Sequence, residues 1–416
     1  MILKLILNHK STEYTQSLLK QVPDAVVIDA SGDFTFPEGF DKKNYIKIKN
    51  HGFTANWNTA IRKVQDREWT HICLMNNDIV INTPDFFEKL QKIADEHPEI
   101  GILSAAFNSP YEQCNPHYAT GLREVVNVEF TAPIIRRDVL DIAGGFPEEI
   151  VHGWGVDFVY CEYVKQLNYK IAVYYDCIFQ HIGGRSAEKE FGSTEAYIEI
   201  ASKEFYDISV NLKKDITRTF IINELIKERG YSNYLEIGYG DGANWKAVNC
   251  AKKTCVDPFR NYHDVVMKTS DEFFREAIIK GTKYDIIFID GDHREEYVDR
   301  DSENALKCLK DGGAIIWHDV NPPSEWHTRP IEQFGAFEEW CGTAYRSFLK
   351  FRNKKPFKFF ALAPDFGIGV MLKEQIDTPL PGLEISWKEF DKNRREYLNL
   401  ITIRDFYKIV KKDGKI

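Results

Sequence analysis

The chain contains two stretches of the same kind, HICLMNND at residues 71–78 and YDIIFIDGDH at residues 284–293. In each of them, an apolar run that is typical of a buried strand ends in polar and acidic residues. Ligands of α/β proteins bind at the carboxyl ends of the sheet strands, so each stretch predicts side chains presented at a binding edge. Because the surroundings of the two stretches differ, we predict two active sites on one polypeptide.

The length and composition of the chain favour a two-domain globular enzyme. A chain of 416 residues is too long for one hydrophobic core. Its contents of 43% hydrophobic and 28% charged residues are ordinary for a globular protein. The net charge of −9 argues against nucleic acid as a partner.

The eight cysteines show no Cys-x-x-Cys pair and no zinc-ligand spacing. Several lie in apolar runs, where a free thiol behaves as a small hydrophobic side chain. Reduced, buried thiols in a cytoplasmic protein are therefore expected. The apolar residues 1–7 end too early for a signal peptide or a membrane span, and no later run is long enough, so we expect no transmembrane segment.

Strand-like and helix-like runs alternate along most of the chain, which predicts the α/β fold class with mainly parallel sheets. The pattern restarts near residue 233, after a stretch rich in Glu, Lys, Ile and Tyr. We predict an N-terminal domain at 1–210, a second domain at 211–380 and a charged helical tail at 381–416. The lysines of the tail could touch an anionic membrane at its cytoplasmic face, although a solvated or docked helix is the more common outcome.

Polar motifs follow several strands of the first domain. VVIDASGD at residues 26–33 ends a strand at Asp29, whose carboxylate can accept hydrogen bonds from a nucleobase imide or a ribose hydroxyl. An Asx-type turn is the alternative for Asp29. Further motifs are NHGFTANWN at residues 50–58, NND at 76–78, GWGVD at 153–157 and HIGG at 181–184.

The order and spacing of these motifs resemble family-two glycosyltransferases of the GT-A fold over residues 1–185. The resemblance implies transfer of a sugar, with inversion, from a nucleotide-sugar donor to a glycan acceptor. It also implies nucleotide-sugar contacts from Asp29, Asn56 and Asn76, a Mn²⁺ or Mg²⁺ site at Asp78 and His181, and a general base at Asp157.

The residue types suit this reaction. A diphosphate leaving group develops charge that a divalent metal neutralises as a Lewis acid, and a carboxylate–imidazole pair suits Mn²⁺ as well as Mg²⁺. Asn76 stands where the D-x-D motif of the family has its first Asp, and its amide oxygen can contact ribose or a water on the metal. Asp157 can deprotonate the acceptor hydroxyl. Alternatively, it is a carboxylate that the macrodipole favours at a helix N-terminus.

LEIGYGDGA at residues 235–243 predicts a strand followed by a glycine turn, and two interpretations fit it. Gly238 and Gly240 match a G-x-G-x-x-A dinucleotide fingerprint, with Asp257 near the position of its ribose-binding acid. Glu236 instead extends the stretch to E-x-G-x-G-x-G. The sequence also predicts a hairpin at residues 359–372, which a dinucleotide-binding domain lacks.

The extended motif and the hairpin resemble class I S-adenosylmethionine-dependent methyltransferases, and the resemblance covers residues 215–375. An NAD-dependent sugar-modifying domain is the alternative. The resemblance implies that S-adenosylmethionine contacts Glu236, Gly238, Gly240, Asp257, Ser270 and Asp271.

The D-G-x-H and H-D patterns of the second domain resemble metal-assisted O-methyltransferases. This resemblance implies that Asp290, His318 and Asp319 hold Mg²⁺ against the acceptor oxygens. It also implies that His293 accepts the hydroxyl proton. The alternative for His318 is a histidine that supports the metal ligands without binding the metal itself, or one that is purely structural.

The two resemblances together imply a bifunctional enzyme that adds a sugar to a glycan and O-methylates a hydroxyl of that sugar or its neighbour. Fusion would raise the effective concentration of one product at the next site. The alternatives are an active glycosyltransferase with an inactive methyltransferase-like scaffold or binding domain, and a non-catalytic glycan-assembly protein.

Overall fold

The computed structural model describes residues 1–183, 191–212, 216–333, 335, 339–374 and 386–411. The chain divides into two compact units, Met1–Lys214 and Asp215–Ile416. Gly184 of the HIGG motif, the first residues of the predicted tail and its last lysines lie outside the described residues. None of the helices in the described part is long and apolar enough to cross a membrane.

The first unit is built on a nine-stranded sheet, in the order β3-β2-β1-β4-β8-β6-β9-β5, with β7 paired to β9. Its strands are β1 (Ile2–Asn8), β2 (Val26–Asp29), β3 (Tyr45–Lys47), β4 (His71–Asn76), β5 (Ile79–Ile81), β6 (Ile100–Ala106), β7 (Leu122–Glu124), β8 (Ile134–Arg136) and β9 (Lys170–His181). Its helices are α1 (Thr12–Leu19), α2 (Phe53–Lys63), α3 (Phe86–Glu96), α4 (Arg137–Ala143), α5 (Val156–Gln166) and α6 (Thr194–Leu212).

Parallel pairing organises the half of this sheet that carries the first polar motifs. β1 pairs in parallel with β2 and with β4, so the ends of these strands meet at one edge. The apolar run of β4 is buried from Ile72 to Met75, as expected for a strand covered on both faces. Asn76 and Asp78 therefore emerge where the strand leaves the core.

The second unit has a seven-stranded sheet, in the order β12-β11-β10-β13-β14-β16-β15. Its strands are β10 (Asn233–Ile237), β11 (Lys252–Val256), β12 (Val265–Val266), β13 (Tyr284–Ile289), β14 (Leu309–Trp317), β15 (Lys358–Leu362) and β16 (Ile368–Leu372). Its helices are α7 (Arg218–Arg229), α8 (Ala243–Ala247), α9 (Ser270–Ile279), α10 (Glu295–Cys308), α11 (Ala344–Lys354), α12 (Trp387–Leu398) and α13 (Ile403–Val410).

Strands β12, β11, β10, β13 and β14 of this sheet are parallel. The β15–β16 hairpin closes the sheet in antiparallel fashion against β14, where the sequence predicts a hairpin. Helices α12 and α13, which belong to the predicted charged tail, bury Phe390, Leu398 and Phe406. The described part of the tail thus contributes apolar side chains to the interior of the second unit.

Candidate active sites

A cavity of about 690 Å³ opens at the carboxyl edge of the first sheet. The ends of β1, β4 and β9 and the N-terminal turns of α2 and α5 contribute side chains to its lining. The structure brings five of the six predicted residues of this domain into that lining, namely Asn56, Asn76, Asp78, Asp157 and His181. The sixth, Asp29, is not one of the described residues that line the cavity.

Asp29 is fully buried and satisfied within the protein. Its Oδ1 accepts hydrogen bonds from Asn8 Nδ2 at 3.0 Å and from the Gly32 backbone N–H at 2.9 Å. Its Oδ2 accepts a hydrogen bond from the Tyr45 hydroxyl at 2.8 Å. Burial acts to raise the pKa of Asp29, but these hydrogen bonds outweigh it and lower the pKa. The carboxylate therefore shapes the strand end, as the alternative Asx-turn interpretation expects.

Asp78 and His181 form a close pair at the cavity wall. The Ile182 backbone N–H donates to the Asp78 carbonyl at 2.9 Å, which ties the end of β9 to the turn after β4. Asp78 Oδ1 lies 3.3 Å from His181 Nε2. Burial alone would lower the pKa of His181, but Asp78 and Glu129 raise it. Two unlike donor atoms at this separation fit a site for one divalent cation.

Glu129 is a cavity residue that the sequence interpretation missed. The Ser109 hydroxyl donates to its Oε2 at 2.8 Å, and its Oε1 lies 3.9 Å from His181 Nδ1. Its only sequence signal is an acidic residue inside the short apolar run VNVEF at 126–130, which also fits a surface strand. Glu129 approaches His181 because the fold brings the end of β9 beside it. No local sequence pattern indicates this contact.

The charge of the cavity bears on what it can bind. Asp78, Glu129 and Asp157 contribute carboxylates, whereas the described lining residues include neither lysine nor arginine. An anionic diphosphate placed here meets repulsion unless a cation accompanies it. The charge of the described lining therefore favours a cation, or a ligand that brings a cation with it.

Asp157 occupies the second position of α5, after Gly155 in the left-handed conformation. Only 6% of the residue is exposed, and its Oδ1 accepts the Phe158 backbone N–H at 2.8 Å. Burial, with a further contribution from the charge of Glu129, raises the pKa of Asp157 to about 7. A carboxylate with this pKa can accept a proton near neutral pH.

Helix α6 supports the loop before Asp157. Glu204 of this helix accepts a hydrogen bond from the His152 backbone N–H at 3.0 Å, and its Oε1 lies 2.7 Å from His152 Nδ1. The Tyr197 hydroxyl donates to the His152 carbonyl at 2.9 Å, and Trp154 packs edge-on against Phe205. His152 and Tyr197 are further cavity residues that the sequence interpretation missed. Tyr197 lies on α6, in a stretch without motifs, and His152 directly precedes the GWGVD motif.

The glycine turn of the second unit follows β10. Gly238, Gly240 and Gly242 all have positive φ angles. A Cβ on Gly238 would lie 2.1 Å from the Asp290 carbonyl oxygen, so only glycine fits between β10 and β13. The Tyr239 backbone N–H donates to Asp257 Oδ2 at 3.0 Å, which connects the turn to the end of β11. A cofactor can approach the backbone closely at such a turn.

We expect Gly238→Ala to destabilise the second unit by about 3 kcal/mol, because it combines a backbone clash with an unfavourable φ angle. Gly240→Ala is the matched control. It has the same kind of φ angle, but its Cβ meets no atom of the described residues within 4 Å, so the expected cost is about 1 kcal/mol. Urea denaturation of both variants measures the difference, and equal destabilisation would contradict the proposed close approach.

Two predicted cofactor residues, Glu236 and Asp271, contact other protein groups. Glu236 is buried and accepts hydrogen bonds from the Tyr234 hydroxyl at 2.6 Å and from Asn244 Nδ2 at 3.1 Å. Burial raises its pKa to about 7. Ser270 begins α9, and Asp271 Oδ2 lies 3.2 Å from Arg300 Nε. The side chains of Glu236 and Asp271 connect elements of the fold.

The second acidic edge forms a compact cluster at the ends of β13 and β14. Ligand atoms of Asp290, His318 and Asp319 lie within 4.8 Å of one another. His318 Nδ1 lies 3.2 Å from Asp290 Oδ1 and 3.1 Å from Asp319 Oδ2. Asp319 has a φ of 59°, which is uncommon for a residue other than glycine and marks local strain. Two carboxylates and an imidazole are a ligand set that suits a divalent cation.

His293 lies against the same carboxylates. Its Nδ1 is 2.9 Å from Asp319 Oδ2 and its Nε2 is 3.3 Å from Asp290 Oδ1, and its ring stacks on Trp340. Burial acts to lower the pKa of His293, but Asp319 and Asp290 raise it to about 10. The imidazole therefore holds a proton at neutral pH unless another cation lies between the carboxylates.

Arg218 and Asp365 join this cluster, and the sequence interpretation included neither. Arg218 Nη1 lies 3.3 Å from Asp365 Oδ1, and His318 Nε2 lies 3.3 Å from the same oxygen. Arg218 begins α7 and Asp365 belongs to the turn of the β15–β16 hairpin. The sequence predicts this turn, but a turn aspartate is common for conformational reasons alone.

Parts of the chain are similar to solved structures at low sequence identity. One is an O-methyltransferase from Bacillus cereus in complex with SAH, at 17% identity; the match covers 46% of this chain and 96% of that chain, with a TM-score of 0.29. Another is GalNAc-T7 with UDP, GalNAc and Mn²⁺, at 12% identity; the match covers 44% of this chain and 43% of that chain, with a TM-score of 0.34. The chain thus spans less than half of GalNAc-T7.

No curated protein sequence matches the chain. A family model matches one part of it, because residues 217–320 fit the family described as Methyltransferase domain. This range includes the glycine turn and the cluster at the ends of β13 and β14, and it ends before the β15–β16 hairpin. The predicted α/β fold class is confirmed, and the second unit of the chain contains a methyltransferase domain.

Proposed function

We propose that the chain is a bifunctional transferase. Its first unit transfers a sugar from a nucleotide-sugar donor to a glycan acceptor, and its second unit O-methylates a sugar hydroxyl with S-adenosylmethionine. The observation that carries the first activity is the cavity that combines the Asp78–His181 pair with the buried carboxylate of Asp157. The methyltransferase domain at residues 217–320 supports the second.

In the proposed first reaction, Asp157 accepts the proton of the acceptor hydroxyl while the oxygen attacks the anomeric carbon from the side opposite the diphosphate. The exposed face of Trp154 is suited to stacking against an acceptor sugar. Asp78 and His181 would hold Mn²⁺ or Mg²⁺, which neutralises the charge of the diphosphate leaving group. Asn76, beside them in the cavity lining, offers an amide to the ribose.

In the proposed second reaction, a sugar hydroxyl oxygen forms a bond to the methyl carbon while the bond from that carbon to the sulfonium sulfur breaks. The glycine turn and Asp257 bind the donor, and His293, neutral once a cation lies between Asp290 and Asp319, takes the proton of the hydroxyl. Asp290, His318 and Asp319 would hold a divalent cation that lowers the pKa of the hydroxyl. The stacking of His293 on Trp340 holds the imidazole in place for proton transfer.

A second candidate function is a glycosyltransferase whose methyltransferase domain serves as a scaffold. The observation that favours it is that Glu236 and Asp271 bond to other protein groups. Calorimetry with S-adenosylmethionine separates the two candidates, since a scaffold binds none.

Thermal shift assays on the full chain test both activities. A ligand at 100 times its Kd adds about 2.7 kcal/mol of stability, which corresponds to a shift of roughly 5–10 °C for a unit of this size. We expect S-adenosylmethionine to shift the transition of the second unit and NAD to leave it unchanged. A panel of nucleotide sugars should shift the transition of the first unit with Mn²⁺ but not with excess EDTA.

The outcomes of the panel are distinct for each activity. A shift with NAD in place of S-adenosylmethionine would point to a redox cofactor for the second unit. If none of the nucleotide sugars shifts the first unit in the presence of Mn²⁺, the glycosyltransferase proposal is wrong.

A further inference from the structure

The turn of the β15–β16 hairpin is strained. Asp365 and Phe366 have φ angles of 56° and 57°, in the left-handed region that residues other than glycine avoid. Gly367 follows with a φ of 92°, and a Cβ there would lie 2.4 Å from the Asn321 backbone nitrogen. Strain of this kind persists only where the surrounding structure imposes it, and it is concentrated at functional sites. The turn also lies outside the segment that the family model matches.

The strained turn directs the Asp365 side chain towards the metal-ligand cluster. Its Oδ2 accepts the Arg218 backbone N–H at 2.8 Å. Its Oδ1 lies 3.3 Å from His318 Nε2. The conformation of the turn thus places a carboxylate on the far side of the His318 ring from Asp290 and Asp319.

The two nitrogens of His318 therefore face different partners. Nδ1 faces Asp290 and Asp319 at 3.2 and 3.1 Å, whereas Nε2 faces Asp365. An imidazole that donates one N–H to a carboxylate keeps its lone pair on the other nitrogen. Metal-binding histidines almost always have such a carboxylate, carbonyl or water on the second nitrogen.

Arg218 also contacts both ring nitrogens of His318. Its Nη1 lies 2.7 Å from Nε2 and 3.3 Å from Nδ1. If Nη1 lay in the ring plane along the lone pair of Nε2, it would be much farther from Nδ1 than the observed distance. The guanidinium therefore lies over the face of the ring, as arginine commonly does on aromatic groups. Asp365 Oδ1 lies 3.3 Å from Nε2 and also accepts a hydrogen bond from Arg218 Nη1 at 3.3 Å.

The charges of the cluster are consistent with a divalent cation. Asp290, Asp319 and Asp365 contribute three negative charges and Arg218 contributes one positive charge. If His293 and His318 are both neutral, the net charge of the cluster is −2, and one divalent cation balances it. Protonation of both histidines would balance it as well, so a metal titration is needed to separate the two states.

We propose that Asp365 is a positioning residue of the metal site formed by Asp290, His318 and Asp319. It accepts the Nε2–H of His318 and so aims the Nδ1 lone pair at the point where the two carboxylates converge. This inference rests on the proposed metal site of the second unit.

Mn²⁺ titration followed by electron paramagnetic resonance tests the proposal without any assay of activity. The parent is the full chain carrying Asp78→Asn and His181→Gln, so that the cavity of the first unit does not contribute. We expect Asp365→Asn to weaken Mn²⁺ binding about 10- to 100-fold, the usual effect of losing such a partner. The matched control is Asp292→Asn, a nearby carboxylate that pairs with Arg294, and it should change binding less than about 2-fold.

A double-mutant cycle separates positioning from a general effect of charge. If Asp365 acts through His318, then Asp365→Asn has little further effect in a His318→Gln background. An undiminished effect in that background would overturn the positioning role. A lower melting temperature with unchanged Mn²⁺ affinity would also overturn it, since the turn would then serve stability only. If the parent itself binds no Mn²⁺, the proposed metal site fails together with this inference.

Discussion

Asp157→Asn should reduce glycosyl transfer about 10²- to 10⁴-fold, the usual contribution of a general base. The amide keeps the shape of the side chain and can still accept the Phe158 N–H, but it cannot take the acceptor proton. Binding of the nucleotide sugar with Mn²⁺, measured by calorimetry, should stay within about 3-fold of wild type, because the change does not touch Asp78 or His181.

The matched control for this variant is Asp141→Asn, which changes an exposed carboxylate on α4 of the same unit. It should leave transfer unchanged. Methyl transfer by the second unit should be unaffected in both variants. Transfer by Asp157→Asn within about 10-fold of wild type would rule out Asp157 as the base.

The pH dependence of transfer gives a further test of this assignment. The pKa of Asp157 is raised to about 7, so the base is protonated below that pH and transfer should fall about tenfold per pH unit on the acid side. Glu129→Gln removes a negative charge that raises the pKa of Asp157, so the acid limb should move to lower pH. An acid limb that stays in place would show that another group controls it.

His293→Gln should reduce methyl transfer by a similar factor, about 10²- to 10⁴-fold. The variant keeps a polar side chain beside Asp290 and Asp319 but removes the imidazole that takes the proton. Binding of S-adenosylmethionine, which we assign to the glycine turn, should persist in calorimetry. Product formation from labelled S-adenosylmethionine measures the loss.

His327→Gln is the control for this second variant. His327 belongs to the same unit, but it pairs with Ser324 and Glu339 and makes no contact with the carboxylates of the cluster in the described structure. Its methyl transfer should match that of wild type. If the two histidine variants lose activity equally, the loss comes from the fold and not from proton transfer.

Much of the architecture was predictable because it depends on local patterns. Apolar runs of strand length identify β4 and β13, and the polar residues after them identify both binding edges. The glycine turn after β10 was predictable because only glycine satisfies its φ angles and close approach. The strand ends that carry Asp78 and Asp290 were therefore predictable from the sequence alone.

The roles of individual carboxylates were less predictable. Asp29 follows a strand in the same way as Asp290, yet Asn8 and Tyr45 enclose it and remove it from the cavity. Asp271 likewise contacts Arg300 on α10. A sequence pattern shows where a side chain leaves a strand or helix, but its partners come from distant segments.

The sequence by itself determined the two α/β units, the two acidic edges and the position of the glycine turn, because local periodicity and backbone conformation are written in neighbouring residues. Only the tertiary structure decided that Glu129 reaches His181, that Glu204 holds His152 and that Asp365 faces His318. Each of these contacts joins residues that are far apart in the chain. The packing of whole elements creates them, and that packing has no local signature.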